Sequence, residues 1–262
     1  MDQADEQERR EGHLKNAIES ANQALKVPDA AADLTEQKLN PSFFYISSWP
    51  VDPNGAIQSW ATTGTNLQDY MPRAFEAACE IAPASVQPDL TRQYPNIGRR
   101  GLAWRLGTHP PVTLGQRFVD LEVHYDGRGC LIMGGATIKQ QGDELWAINA
   151  IAIATLAVRA LVAFGVMYDQ AGFNGPLDIG VAVTGIAQRT LASGSAYIPA
   201  FVSDNEPDSI TMQDDYKQTR TIPAQELSLR PIEQARYLLW PLLQATVVQQ
   251  DPFARLTVRS PQ

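Results

Sequence analysis

Apolar and polar residues alternate most regularly between residues 118 and 125. Successive side chains of a strand point to opposite faces, so this alternation gives the segment one apolar face and one polar face. A turn with the sequence DGRG follows at residues 126–129, and a second β-favouring run covers residues 130–139. The pattern predicts an antiparallel β-hairpin.

A long apolar run at residues 145–168 predicts a helix. Its large side chains point in nearly every direction around a 3.6-residue turn, so we expect a central core helix covered by more than one layer. Ile151 and Leu161 are expected in the core or in a self-association interface. Arg159 is the charged exception in the run. We expect it to extend to water at the helix edge or, as a functional alternative, to form an ion pair across a subunit interface.

The same run is long enough to span a bilayer. It contains an arginine, however, and an arginine at the centre of a span costs about 2.5–3.5 kcal/mol. No cluster of lysine or arginine flanks the run, and the N-terminus is charged and polar rather than similar to a signal peptide. We therefore expect a cytoplasmic protein that does not enter the membrane.

The other segments complete the predicted architecture. Further strands are predicted at residues 43–48, 101–106, 177–184 and 210–222, and further helices at residues 67–81, 186–192 and 231–247. This order favours an α+β (mixed α/β) fold. We expect a mostly antiparallel sheet on which the central apolar helix and a C-terminal helix pack.

Three regions are expected along the chain. Residues 1–38 are polar and predict an N-terminal arm with one short helix, which we expect to be dispensable for folding because it lacks apolar content. Residues 39–250 form the α/β companion or regulatory domain. Residues 251–262 form a C-terminal tail.

Composition narrows the classes of function. The chain has 262 residues, and its 44% hydrophobic content is enough to bury a sizeable core. A net charge of −8 argues against direct binding of nucleic acid over a broad surface. Cys79 and Cys130 lack C-x-x-C spacing, which fits a reducing cytosol and excludes a cysteine zinc site. We expect no cofactor and no resident metal.

One strand carries a candidate catalytic row. Asp120, Glu122 and His124 fall on the same face of the predicted strand at 118–125. Two carboxylates and an imidazole could bind a divalent metal or perform acid–base chemistry. The alternation is also what a solvated face of a half-buried antiparallel strand produces, and this interpretation is favoured.

A small basic cluster is a candidate phosphate or nucleic-acid contact. Arg99, Arg100 and Arg105 lie close to Trp104 in sequence. Arginine beside an aromatic ring can hold phosphate and stack a base. Three arginines are few for a nucleic-acid surface on an acidic chain, so solvent-facing charges are the favoured interpretation.

Several segments resemble a known family. They are GLAW at residues 101–104, LEVHYDGRG at 121–129, LDIGVAVTGI at 177–186 and DYKQTRTIPAQEL at 215–227. With the apolar helix, they resemble the C-terminal region of bacterial DNA-binding proteins of the Schlafen/AlbA type. In that family an N-terminal domain is taken to bind or process nucleic acid, and the C-terminal region is its α/β companion. Residues 1–40 lack the signature of that N-terminal domain, so no nucleic-acid-binding or catalytic residue is carried over.

Two functional hypotheses follow. The first is a non-enzymatic regulatory or interaction domain, which forms a homo-oligomer and acts with a nucleic-acid-binding partner or domain of the Schlafen/AlbA type. It rests on the resemblance and on the absence of a recognisable catalytic motif in the sequence. The second is a metal-dependent hydrolase or nuclease that uses Asp120, Glu122 and His124.

Overall fold

The computed structural model of the chain describes most of the predicted domain. The described residues are 2–25, 42–52, 102–107, 119–124, 126–139, 146–192, 209–246, 251–254 and 256. The helix predicted at residues 67–81 lies outside this set, as do Arg99 and Arg100.

The described residues form ten strands and four helices. The strands are β1 (Phe43–Pro50), β2 (Leu102–Gly107), β3 (Val119–His124), β4 (Gly129–Gly134), β5 (Thr137–Lys139), β6 (Trp146–Ile148), β7 (Pro176–Thr184), β8 (Thr190–Ala192), β9 (Ser209–Thr211) and β10 (Tyr216–Pro223). The helices are α1 (Gln3–Leu25), α2 (Ala150–Ala171), α3 (Gln225–Leu229) and α4 (Pro231–Ala245).

The main sheet has six strands in the order β10-β7-β1-β4-β3-β2. Every neighbouring pair in it is antiparallel. A second sheet has the order β5-β6-β8-β9, in which β6 and β8 are parallel. The predicted α+β fold with a mostly antiparallel sheet is therefore confirmed, and so is the hairpin formed by β3 and β4.

Helix α2 packs on β1 and β4 at one face of the main sheet, and the helices α3 and α4 lie beside it and contact β10 on the same face. It is buried on nearly all sides, as its composition predicts. The C-terminal helix begins at Pro231, as predicted, and its buried leucines face α2. Among the described helices, only α2 is long enough and apolar enough to cross a membrane. Of its most apolar 18-residue stretch, 89% is buried inside the protein.

The residues singled out on α2 differ in their surroundings. Leu161 is fully buried in the core, whereas Ile151 is partly exposed. Arg159 is 1% exposed, so the expectation that it extends to water is wrong. The physical reason is that α2 has protein on both sides and offers no helix edge to solvent at this position.

Three sequence boundaries are corrected by the second sheet. The strand predicted at 210–222 is divided into β9 and β10, which belong to different sheets. The run at 130–139 is divided into β4 and β5, which belong to different sheets and are separated at Gly135, where φ is 79°. The start predicted for the central helix is also too early, because β6 pairs with β5 and β8. Short apolar segments fit a strand and a buried helix equally well, so periodicity alone does not separate them.

The helix predicted at residues 186–192 is also wrong. Its first residues form a turn in which the Asp215 carboxylate accepts hydrogen bonds from the N–H groups of Ile186 and Ala187, both at 3.0 Å. Gln188 then takes a positive φ of 61°, which interrupts any helix, and β8 follows.

Helix α1 covers the opposite face of the main sheet and contacts β10, β7, β1 and β4. Three residues of α1 are buried against Tyr45 and Ile132 of the sheet: Leu14, Ala17 and Ala21. The prediction of an arm with one short helix is therefore wrong. Residues 3–25 form a long helix that completes a layer of helix, sheet and helix.

A buried tyrosine ties α2 to the β3–β4 turn, and its removal gives a first prediction. The Tyr168 hydroxyl donates to the carbonyl of Gly127 at 2.7 Å and accepts from the Ser48 hydroxyl at 2.9 Å. Tyr168→Phe is expected to lower the free energy of unfolding by about 1–3 kcal/mol, because both partners stay buried without it. Urea unfolding measures the loss. The matched control is Tyr237→Phe, at a half-exposed ring, and an equal loss in both variants would contradict the assignment.

Candidate functional site

A polar cluster lies between α1 and the main sheet at the ends of β7 and β10. We call it the Asp178 cluster: Arg9, His13, Asp178 and Thr221. The Asp178 carboxylate is bound to Arg9 Nε at 2.9 Å and to His13 Nδ1 at 2.8 Å, and it accepts from the Thr221 hydroxyl at 2.7 Å. Thr221 stands directly opposite Asp178 in the sheet register. The cluster thus joins α1 to two neighbouring strands.

The electrostatics of the cluster favour an ionised carboxylate. Burial of Asp178 opposes ionisation, but the hydrogen bonds from His13, Arg9 and Thr221 outweigh it and lower the pKa of Asp178 to about 2. The same pairing raises the pKa of Arg9. Asp178 therefore carries its charge in the folded protein at neutral pH.

Aromatic stacking continues the cluster towards the β3–β4 turn. The His13 ring lies parallel to the Trp49 ring, with 4.5 Å between the centroids. The Arg128 guanidinium lies 4.8 Å from the centroid of the same tryptophan. Such stacking fixes the imidazole in one orientation.

A histidine bound to a carboxylate also occurs in general-base sites. Here the same carboxylate is occupied by Arg9 and Thr221. Among the described residues, no serine, threonine or cysteine side chain is hydrogen-bonded to His13 as a nucleophile would be. The Asp178 cluster therefore fits an anchor that holds α1 in place.

Acid should weaken this anchor, which gives a second prediction. The folded pKa of Asp178 lies near 2, below its ordinary 3.8. Its contribution to stability is therefore complete above about pH 4 and is lost as the pH falls towards 2, by about 2 kcal/mol in total. Urea unfolding of wild type and Asp178→Asn between pH 6 and 2 measures it. The variant should lose less stability over the lower part of this range, and parallel curves would contradict the role of the carboxylate.

The row predicted on β3 lies on the same face as α1 but is not exposed. Asp120, Glu122 and His124 are 1%, 2% and 5% exposed, so the favoured interpretation of a solvated face is wrong. Polar and apolar residues do alternate along β3, but the polar face of the strand is turned to the protein interior. Glu122 Oε2 lies 3.4 Å from His124 Nε2. Arg105 stands opposite Glu122 in the register of β2 and β3.

The described residues do not complete a metal centre. Within them, no group of three or more histidine, cysteine, aspartate or glutamate side chains could hold a metal ion. Glu122 and His124 approach each other, but Asp120 lies roughly 13 Å from His124 along the strand, so the three side chains do not converge by strand geometry alone.

An exposed aromatic surface on α4 was not predicted from the sequence. We call it the α4 surface: Arg220, Leu229, Arg236, Tyr237 and Trp240. The exposed fractions are 72% for Leu229, 50% for Tyr237 and 36% for Trp240. The Arg220 guanidinium lies 4.3 Å from the Tyr237 ring centroid, and that of Arg236 lies 5.8 Å from the Trp240 centroid. The available signal was the spacing of Tyr237 and Trp240, which places both outside the stripe of buried leucines on α4.

Two of the clefts along β10 lie on opposite faces of the sheet. The α1 cleft, of about 780 Å³, runs between α1 and β10, and the α4 cleft, of about 680 Å³, contains Tyr237 and Trp240. Gln218, near the middle of β10, lines both clefts. They therefore meet at this strand.

Comparison with protein-family models, with curated proteins and with solved structures finds no match to this chain. The resemblance to Schlafen/AlbA-type proteins stays a prediction that rests on the quoted segments.

Proposed function

We propose that this chain is a non-enzymatic interaction domain that binds a protein partner through the α4 surface. The observation that carries the proposal is the exposure of Tyr237 and Trp240 beside two arginines. Tyrosine, tryptophan and arginine are the residues that most often dominate the binding energy of protein interfaces. An acidic chain with such a surface suits a protein partner better than a nucleic acid.

The polar interior supports the same proposal. The Asp178 carboxylate already binds three side chains of its own protein, and those bonds hold α1 on the sheet. These three bonds stabilise a fixed arrangement of α1, β7 and β10. The cluster therefore fits a rigid platform for the α4 surface.

The partner that we propose carries a nucleic-acid-binding domain. The resemblance to the companion region of Schlafen/AlbA-type proteins implies such a partner, and the charge of the chain agrees with it. Proteins that bind nucleic acid are commonly basic, and a net charge of −8 is complementary to a basic surface. Self-association stays a second prediction for the same surface.

Site-specific cross-linking tests the proposal. A photoreactive amino acid is placed at Tyr237 in cells that express the chain, and a matched one at Gln170, which is exposed at the far end of α2. The expected result is an adduct with one defined protein, one that carries a nucleic-acid-binding domain, at position 237 and none at 170. Adducts of equal yield at both positions, or none at 237, would contradict the proposal.

A metal-dependent hydrolase or nuclease is the second candidate. The observation in its favour is the burial of three ionisable side chains on β3, because such groups are more frequent at functional sites. Its test is hydrolysis of single- and double-stranded DNA by the purified chain with Mg²⁺, Mn²⁺ or Zn²⁺. Activity that disappears in chelator and in Glu122→Gln would favour this candidate over an interaction domain.

A further inference from the structure

Strand β10 is at the edge of the main sheet. Among the described strands its one neighbour is β7, so its other side presents backbone N–H and C=O groups in strand geometry. The strand has eight residues, which corresponds to about 27 Å of edge. Such an edge can accept an extended segment of another chain as an additional strand.

The clefts on the two sides of β10 would surround such a segment. Gln218 lines both, so a chain beside it would place alternate side chains in the α1 cleft and in the α4 cleft. The α4 cleft is bounded by Tyr237 and Trp240, which favour apolar side chains.

The α1 cleft favours basic side chains. Its lining carries four carboxylates against two ammonium groups: Glu8, Glu11, Glu19 and Asp215 against Lys15 and Lys217. Asp215 accepts hydrogen bonds from backbone N–H groups, Glu19 lies 4.0 Å from Lys15, and the exposed Glu11 accepts a hydrogen bond from the neutral Gln7 side chain. A lysine or arginine entering this cleft would meet more carboxylates than ammonium groups.

The same charges argue against a second copy of this chain as the occupant. Two β10 strands paired about a two-fold axis would place both α1 helices on one face of the joined sheet. The exposed glutamates of one α1 would then approach those of the other. Like charges across an interface oppose association, so a basic segment fits the edge better than a second acidic chain.

We propose that β10 accepts an extended segment of a partner protein in which basic and apolar residues alternate. This inference rests on the proposed function and names the chemistry of the segment that is bound. The backbone of the segment pairs with β10, its basic side chains enter the α1 cleft, and its apolar side chains contact Tyr237 and Trp240.

Three peptides of matched composition test the inference with the full chain. The first alternates lysine and leucine over eight residues, the second has four lysines followed by four leucines, and the third has the first sequence with every backbone nitrogen methylated. Fluorescence anisotropy at low salt measures binding. The alternating peptide is expected to bind at least about tenfold more tightly than either control, since only it combines the side-chain pattern with free N–H groups. Equal binding of the three, or no binding of the first, overturns the inference.

Variants of the protein locate the binding. The double substitution Glu8→Lys/Glu11→Lys is expected to weaken binding of the alternating peptide about tenfold. The matched control, Asp2→Lys/Asp5→Lys, changes the net charge equally at exposed positions of the same segment outside the cleft. Equal weakening by both overturns the assignment to the α1 cleft.

Failure of this inference is distinguishable from failure of the proposed function. Cross-linking at Tyr237 requires the α4 surface and does not depend on backbone pairing with β10. Specific adducts at Tyr237 together with equal binding of the three peptides would overturn strand addition and leave the interaction domain supported.

Discussion

Replacing Leu161 with aspartate is expected to prevent the chain from folding. Leu161 is fully buried in the core around α2, which packs on β1 and β4 of the main sheet and against the helices α3 and α4. A carboxylate there would have no water, and burying an unpaired charge costs several kcal/mol. Domains are stable by about 5–15 kcal/mol in total, and the lost packing adds to the penalty. Circular dichroism and soluble yield measure the outcome.

Ile151→Asp is the matched control on the same helix. Ile151 is partly exposed, so its carboxylate can reach water, and the variant should fold with a smaller loss of stability. A folded Leu161→Asp protein, or equal damage from the two substitutions, would contradict the position of α2 at the centre of the core.

Replacing Leu14 with aspartate is expected to release α1 from the sheet. Leu14 is 3% exposed and packs on Gly180, where an added Cβ would lie 3.0 Å from Leu14 Cδ1. A carboxylate at this point would be buried against the sheet, so we expect a loss of about 3–5 kcal/mol. The loss of α1 would also take Arg9 and His13 away from Asp178. Hydrogen exchange should then show fast exchange of the α1 amides, and urea unfolding gives the free energy.

Asn16→Asp, at an exposed position on the same helix, is the control and should change stability by less than about 0.5 kcal/mol. Slow exchange of α1 in Leu14→Asp would show that the helix is held by other contacts. Residues 1–38 would then be a dispensable arm, as the sequence predicts.

The elements with strong local signals were predictable. β3 and β7 alternate clearly, α2 is a long apolar run, and Pro231 marks the start of α4 by its preference for the first helical turn. Helix α1 gave a weaker signal, because much of its buried face consists of the small side chains Ala17 and Ala21. Its burial depends on a glycine in β7, and sequence periodicity does not report such distant contacts.

The candidate site was less predictable than the fold. His13 and Asp178 are 165 residues apart in sequence, and neither belongs to a recognisable motif. The row on β3 was found, but its burial was not, because a strand shows the same alternation whether its polar face meets water or a polar interior. The α4 surface was missed because exposed aromatics look like ordinary members of an apolar helix until the buried stripe is known.

Hydrogen exchange of the complex tests the central claim most directly. The chain is measured alone and bound to the protein that cross-links to position 237. We expect slower exchange of the β10 amides, from Tyr216 to Ile222, and of the exposed turn of α4 around Tyr237, with no change in β3. Protection confined to β3, with β10 and α4 unchanged, would contradict an interaction domain that binds through the α4 surface.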